Sequence, residues 1–300
     1  MYNKIIQFLS ANWLIDLNTV QSYLPLFISF INGAKIDAAD FKEDHKPYAV
    51  SNGLSVSDIN IVGRYDLTSP DLPDNSVAII PIQGIMTIDK TMELATFIKQ
   101  ADSNPSIISK LFLVNTPGGM VSYTDITADI IANSPKPTVS YILVKCCSGG
   151  MWLISSSDLI ICSSQLDTLG SIGVMSSYMS MTKLLSEKLG IDIVKFYATA
   201  STRKNEIERA LEDINLTYDE KKALLTPELD FTNDIFHSVI QTNLGIKADS
   251  EVFTGATYNA KRAIEIGLAH EINPSVEYAL SKAFQLGSQN KLSLLINQKP

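Results

Sequence analysis

Histidine and cysteine are scarce in this chain, with three of each in 300 residues. Cys146 and Cys147 are adjacent and Cys162 lies close by, with no paired spacing along the chain. That argues against a disulfide framework and for a reducing compartment. No Cys/His arrangement has zinc-ligand spacing, so neither a metal nor a cofactor is expected. Long apolar runs are also missing. The most apolar early stretch, residues 23–31, is too short to span a bilayer and contains Pro25. Residues 1–9 place Lys4 before an apolar patch, but Asn12, Asp16 and Asn18 interrupt it and no small-residue cleavage site follows, which argues against a signal peptide. Positive charge is in deficit: the formal net charge is −8, which disfavours nucleic acid or an anionic membrane as a partner.

What is present is a globular composition, 45% hydrophobic and 19% charged, with apolar content for a substantial core. The length allows one large or two small domains. Residues 3–33 read as two short helices, since Ile5, Ile6 and Leu9 share one helical face and Val20, Tyr23, Leu24 and Phe27 another. Residues 34–75 are rich in aspartate, lysine, serine and proline and read as a linker with one short strand, Ile59 to Val62.

From Ser76 onward, apolar strand runs alternate with helical spacing. Strands are expected at residues 77–82, 111–114, 138–144, 159–162 and 191–196. Helices are expected at 90–100, 123–133, after 150, at 178–189, and from a Thr217/Glu220 capping box to about Gln241. Residues 251–272 read as strand, helix and closing strand, and the tail after Leu286 as loosely held. Strands apolar throughout, separated by helices, predict an α/β fold with a mainly parallel sheet covered by helices.

One turn stands out chemically. Cys146-Cys147-Ser148-Gly149-Gly150 joins a predicted strand to a predicted helix. A serine there is exposed at the strand's end and sits where unpaired helix N–H groups stabilise negative charge. Ser-Gly-Gly alone is ordinary turn chemistry. Cys147 is an alternative nucleophile beside it, although buried structural thiols are common.

The surrounding motifs give the turn a context. Residues 78–85 (AIIPIQGI), 115–119 (NTPGG), 148–150 (SGG), 168–174 (TLGSIGV) and 253–256 (FTGA), with Ala263 and Gly267-Leu268 downstream, occur in that order. In these motifs, over roughly residues 76–275, the chain resembles the signal peptide peptidase A family of serine peptidases, peptidase family S49, including its phage and prophage head-maturation branch. The resemblance implies a ClpP/crotonase-like fold over residues 76–275, preceded by a helical segment (1–33) and a linker (34–75), and followed by a C-terminal helix and tail (276–300). It implies a Ser–Lys dyad with Ser148 as nucleophile and Lys204 as base. The family's lysine loop reads Ser-Gly-x-x-Lys-Asp or similar, whereas this chain has Ala200-Ser201-Thr202-Arg203-Lys204-Asn205. Arg203 cannot serve, because guanidinium does not lose its proton at usable pH. A lysine can, where burial or a neighbouring cation lowers its pKa. The same resemblance assigns the oxyanion site to Gly118 and Gly119, with Gly149 a second candidate, and gives Ser171, or Thr168, the role of orienting the lysine. At the nucleophile turn Val144 replaces a family glycine, and Cys146 and Cys147 replace alanines.

The three histidines, His45, His237 and His270, are dispersed and none follows Ser148 on its helix, so they read as structural or surface residues. Asp158 and Asp167 read as turn residues. By resemblance the chain would be a homo-oligomeric ring that acts on protein or peptide substrates, with phage head proteins such as scaffold or portal as expected partners and the bacterial host cytoplasm or an assembling procapsid as its place. The competing expectations are a soluble cellular peptidase degrading signal peptides or other peptides, a catalytically inactive structural homologue, and an acyl-CoA enzyme of the same fold.

Overall fold

A computed structural model describes residues 13–15 (backbone), 46–51, 65–177, 190 and 194–297. The expected strand at Ile59 to Val62, the helix at residues 178–189, the first half of the strand at 191–196 and His45 lie outside these residues.

The centre is one mixed sheet. Its strands are β2 (Tyr48–Val50), β3 (Ser76–Gln83), β4 (Ile107–Thr116), β6 (Thr138–Cys147), β7 (Leu159–Cys162) and β10 (Glu271–Ile272), in the spatial order β10-β7-β6-β4-β3-β2. Every neighbouring pair from β3 to β10 is parallel, and β2 adds antiparallel at one edge. Pro81 is tolerated inside β3 because β2 pairs only with Val77 to Ile79, so a missing N–H beyond that point breaks no ladder bond there.

Both faces are covered, which explains the unbroken apolar runs. Ala78, Ile80 and Ile82 of β3 point to one side, with Phe112, Val114 and Ile142, under α1 (Ile88–Ser103), α2 (Thr124–Ala132) and α3 (Gly149–Ile154). Val77 and Ile79 point to the other, with Leu111, Val139 and Tyr141, under α7 (Val276–Asn297). The alternation along β3 is the period-two geometry of a strand. At Gly287 the helix comes so close to β4 that a Cβ would lie 2.8 Å from Ile108 Cγ1. The tail after Leu286 is therefore helical and docked, in contrast to the loose segment expected; its last turns expose Leu292, Leu294, Leu295 and Ile296.

Two other expectations change. Residues 13–15, expected within a helical segment, form a strand, β1 (Trp13–Ile15), antiparallel to β5 (Gly118–Met120). An aromatic and a β-branched residue fit a strand once a partner edge exists, and that edge is supplied from a hundred residues away. Upstream of Ser76, β2 extends the sheet and Leu67 and Leu72 are buried in the core, so parts of the expected linker belong to the domain. Low hydrophobic content concealed them.

Beyond the sheet, β8 (Thr168–Gly170) pairs with the end of β6 and with β9 (Thr257–Asn259). The second half of the strand expected at 191–196 is irregular instead, as is the whole stretch 194–198. Then follow α4 (Glu206–Glu212), α5 (Tyr218–Leu244), a short 3₁₀ turn (Glu251–Thr254), and α6 (Ala260–Glu265). The capping box at Thr217 and Glu220 opens α5 as the sequence predicts.

Candidate active site

The site is built where β6 ends. Up to Ile142 the strand lies between β4 and β7; from Lys145 to Cys147 it pairs with β8 instead. The register against β4 shifts between Val114 and Thr116, leaving Leu143 and Val144 exposed. Val144 is thus accommodated in place of a glycine because its side chain points to solvent. Cys146 and Cys147 are buried, as the alanines they replace would be. Burial pushes the Cys146 thiol well above its ordinary pKa, which keeps it protonated.

Ser148 follows with φ 53° and ψ −119°, between a buried strand end and the wholly buried α3. Positive φ is unfavourable for a residue with a Cβ and persists only where the surroundings impose it. Here they do: Ser148 N–H donates to Gly170 O at 2.7 Å, and Ser148 O accepts from Trp152 N at 3.2 Å. Gly150 must be glycine, since a Cβ would sit 2.5 Å from Thr116 Cγ2. Trp152 anchors the helix by stacking on Phe236 of α5, with centroids 4.7 Å apart. Five described non-glycine residues have positive φ, and Ser148 and Ser171 are two of them. The other three are Asn75, Tyr123 and Asn205.

The second component is the 168–174 loop. Ser148 Oγ donates to Gly173 O at 3.4 Å. Ser171, at φ 52°, is held by its N–H to Ala256 O at 2.7 Å. Thr168 lies on β8, opposite Lys145 on one side and Asn259 on the other. His237 of α5 packs on Phe253; burial lowers its pKa, while a backbone hydrogen bond at Ile172 acts in the opposite direction.

The third is the glycine turn. Thr116 Oγ1 donates to Gly84 O at 2.7 Å and accepts from Gly118 N at 3.0 Å. Gly118 N–H is therefore already engaged. Gly119 forms a parallel bridge to Met86, and a Cβ there would lie 1.9 Å from Met86 O. Gly149 is the first residue of α3, and N–H groups in a helix's first turn have no partner within the helix. Thr116 was not among the sequence-derived site residues. Its signal was present in the sequence as the hydroxyl residue of the 115–119 motif (NTPGG).

Lys204 belongs to a different turn of the chain. It is exposed, in a turn before α4, with its N–H donating to Ser201 O at 3.2 Å. It lines an open cavity with Lys195, Phe196, Tyr197, Ala198, Ser201 and Asn205. Among the described residues no hydrogen bond joins it to Ser148, whose hydroxyl is bonded to Gly173. The remaining polar candidates are structural. His270 Nδ1 accepts from Ile160 N at 2.9 Å, Asp158 accepts from Thr138 N at 2.7 Å, and Asp167 accepts from Ser163 and Ser164. Among the described residues no group of His, Cys, Asp and Glu could hold a metal, and no helix is long and apolar enough to cross a membrane.

A mostly parallel, helix-covered sheet with a strained serine at a strand-to-helix elbow defines the class as an α/β protein with a nucleophile-type turn. The model of peptidase family S49 matches residues 131–289, and the chain belongs to that family. It is 27% identical over 219 residues to Capsid assembly protease C of Escherichia phage lambda, covering 68% of this chain and 48% of that protein. It is 24% identical over 237 residues to Protease 4 of Haemophilus influenzae, covering 72% of this chain and 36% of that protein. The chain thus spans half or less of the length of these relatives. Among solved structures, an enoyl-CoA hydratase/isomerase (crotonase) from Legionella pneumophila matches with TM-score 0.46 at 13% identity, over 76% of this chain and 82% of that one. A ClpP1 variant from Listeria monocytogenes matches with TM-score 0.42 at 11% identity, over 67% and 94%.

Proposed function

We propose that the protein is a serine endopeptidase with a Ser–Lys dyad, processing phage or prophage head proteins such as scaffold or portal. The observation that carries the reading is Ser148 itself, held at φ 53° on the elbow before α3 in a chain of family S49. Ser148 Oγ attacks a peptide carbonyl to form an acyl-enzyme. The amine of Lys204, in its neutral form, takes the hydroxyl proton and returns one to the leaving amine. With Gly118 N–H engaged by Thr116 and Gly119 paired with β1, Gly149 is the donor for the oxyanion, joined by Gly119 when β1 leaves that edge. Ser171, with Thr168 as the alternative, orients the lysine.

Lys204 is exposed, and the exposed Val194 and Phe196 stand nearby in sequence. Both features fit a homo-oligomer in which the lysine of one subunit serves Ser148 of the next. The similarity to a phage capsid assembly protease supports the head-protein substrate class, and with it an assembling capsid in the host cytoplasm as the setting. The similarity to Protease 4 favours a second reading, a cellular peptide-degrading peptidase.

Casein hydrolysis tests the dyad. Ser148→Ala and Lys204→Ala are each expected to lose activity by about a thousandfold or more. Mixing the two variants under subunit exchange is expected to restore part of it if the dyad is shared between subunits. Hydrolysis by Ser148→Ala at the wild-type rate would overturn the proposal. Mass spectrometry of co-expressed head proteins separates the two substrate readings.

A further inference from the structure

The short strand β1 has no place in the dyad chemistry, yet it lies against the glycine turn. One edge of β5 is taken by Met86, whose N–H donates to Gly118 O at 2.9 Å and whose O accepts from Met120 N at 2.8 Å. Backbone groups alternate along a strand, so the N–H and C=O of Gly119 point to the opposite edge. That edge is where β1 runs antiparallel, with Leu14 opposite Gly119. Leu14 and Gly119 therefore form the hydrogen-bonded pair of this ladder, while Trp13 and Ile15, opposite Met120 and Gly118, form the flanking pairs.

The edge is next to the elbow. β5 packs on α3, the helix that begins one residue after Ser148, and Thr116 touches both Gly118 and the space over Gly150. A chain laid along β5 lies beside the serine, with its backbone facing Gly119 N–H.

We propose that the protein's own residues 13–15 act as an internal competitor on the outer edge of β5, holding off an extended polypeptide that would otherwise add to that edge. The identity of the ligand as a peptide substrate rests on the peptidase reading above; the occupancy rests on the strand pairing. Adding a strand to an exposed edge is a general mode of peptide recognition, in which backbone hydrogen bonds supply affinity irrespective of most side chains. A three-residue ladder is short enough to be displaced. Tethering gives it an effective concentration in the millimolar range, so a free peptide must outcompete it. The edge is thereby closed to weak or transient peptides and opens to a segment presented at high local concentration, such as a protein packed into the same assembly.

The test uses the full chain and a fluorescein-labelled peptide of residues 10–18 as probe, with binding read by anisotropy. It compares Ser148→Ala with Ser148→Ala/Leu14→Pro, so that no cleavage intervenes. Proline removes the Leu14 N–H and disrupts the internal strand. The double variant is expected to bind the probe at least fivefold more tightly; equal affinity, or binding to neither, overturns the proposal. Hydrogen exchange provides a measurement that needs no variant. The Gly119 amide of the wild-type chain is expected to be protected, and exchange there at the rate of an unstructured peptide overturns the proposal. Casein hydrolysis by the chain carrying Leu14→Pro alone separates the two readings. A fivefold binding gain without hydrolysis by either the wild type or the Leu14→Pro chain supports the docking edge and sinks the peptidase reading. Hydrolysis with equal probe affinity does the reverse.

Discussion

Gly119→Ala should be among the most damaging single-methyl additions this molecule can receive. The new Cβ would lie 1.9 Å from Met86 O, 2.5 Å from its carbonyl carbon and 2.7 Å from its Cα. Non-bonded carbon contacts settle at about 3.5–4.0 Å, so the two backbones must separate by well over 1 Å. All three atoms belong to backbone, and no rotamer change relieves the clash. Separation breaks both bonds that Met86 makes across β5, to Gly118 O and from Met120 N. Overpacking costs about 1–3 kcal/mol, and each of the two lost backbone bonds about 0.5–1.5 kcal/mol, so the expected destabilisation is about 2–6 kcal/mol. Gly245→Ala is the control. Gly245 caps α5 at φ +66° with nothing within 4 Å of an added methyl, so only the left-handed conformation is penalised, by about 1–2 kcal/mol. Urea unfolding of the full chain measures both. Equal midpoint shifts for the two variants would refute the reasoning, because steric contact would then count for nothing beyond backbone conformation.

Two further outcomes concern a half-buried and a fully buried side chain. Burial holds the Lys136 amine at a pKa of about 8, against an ordinary 10.5, although Asp102 pulls it upward. Between about pH 8 and 10.5 the unfolded chain keeps a proton that the folded chain has released, so Lys136 makes stability rise with pH across that window. Urea midpoints at pH 7.5, 8.5 and 9.5 should show this rise in wild type and a flatter profile in Lys136→Met; parallel profiles would exclude Lys136 as the source. Phe236 is fully buried and stacks on Trp152, four residues after Ser148. Phe236→Ala should cost about 3–5 kcal/mol in urea unfolding, and a cost below about 1 kcal/mol would mean that α5 does not brace the elbow helix.

The central sheet was legible because each strand is buried on two faces and so reads as an apolar run: residues 77–82, 138–144 and 159–162 fall within β3, β6 and β7. The α5 start was legible because a capping box is a local motif with its own hydrogen bonds. The Ser148 elbow was legible because a strained turn beside a close-packed helix demands glycine, as the contact of Gly150 with Thr116 shows. What escaped were elements stabilised by remote partners. β1 depends on an edge more than a hundred residues away, and β2 on three residues of β3. The docked tail depends on the close approach of Gly287 to Ile108, which no local pattern announces.

Local sequence was enough to define the class of the protein, through ordered glycine and serine motifs, apolar strands and the family they belong to. Positive φ, tight turns and two-sided burial each leave a mark in the residues that adopt them. How the pieces meet was settled by the folded chain. Folding placed the Ser148 hydroxyl on Gly173 O, engaged Gly118 N–H with Thr116, left Lys204 exposed on a separate turn, and laid residues 13–15 along the edge that presents Gly119. These are contacts between distant segments, set by how backbone donors and acceptors must be paired once the chain is compact.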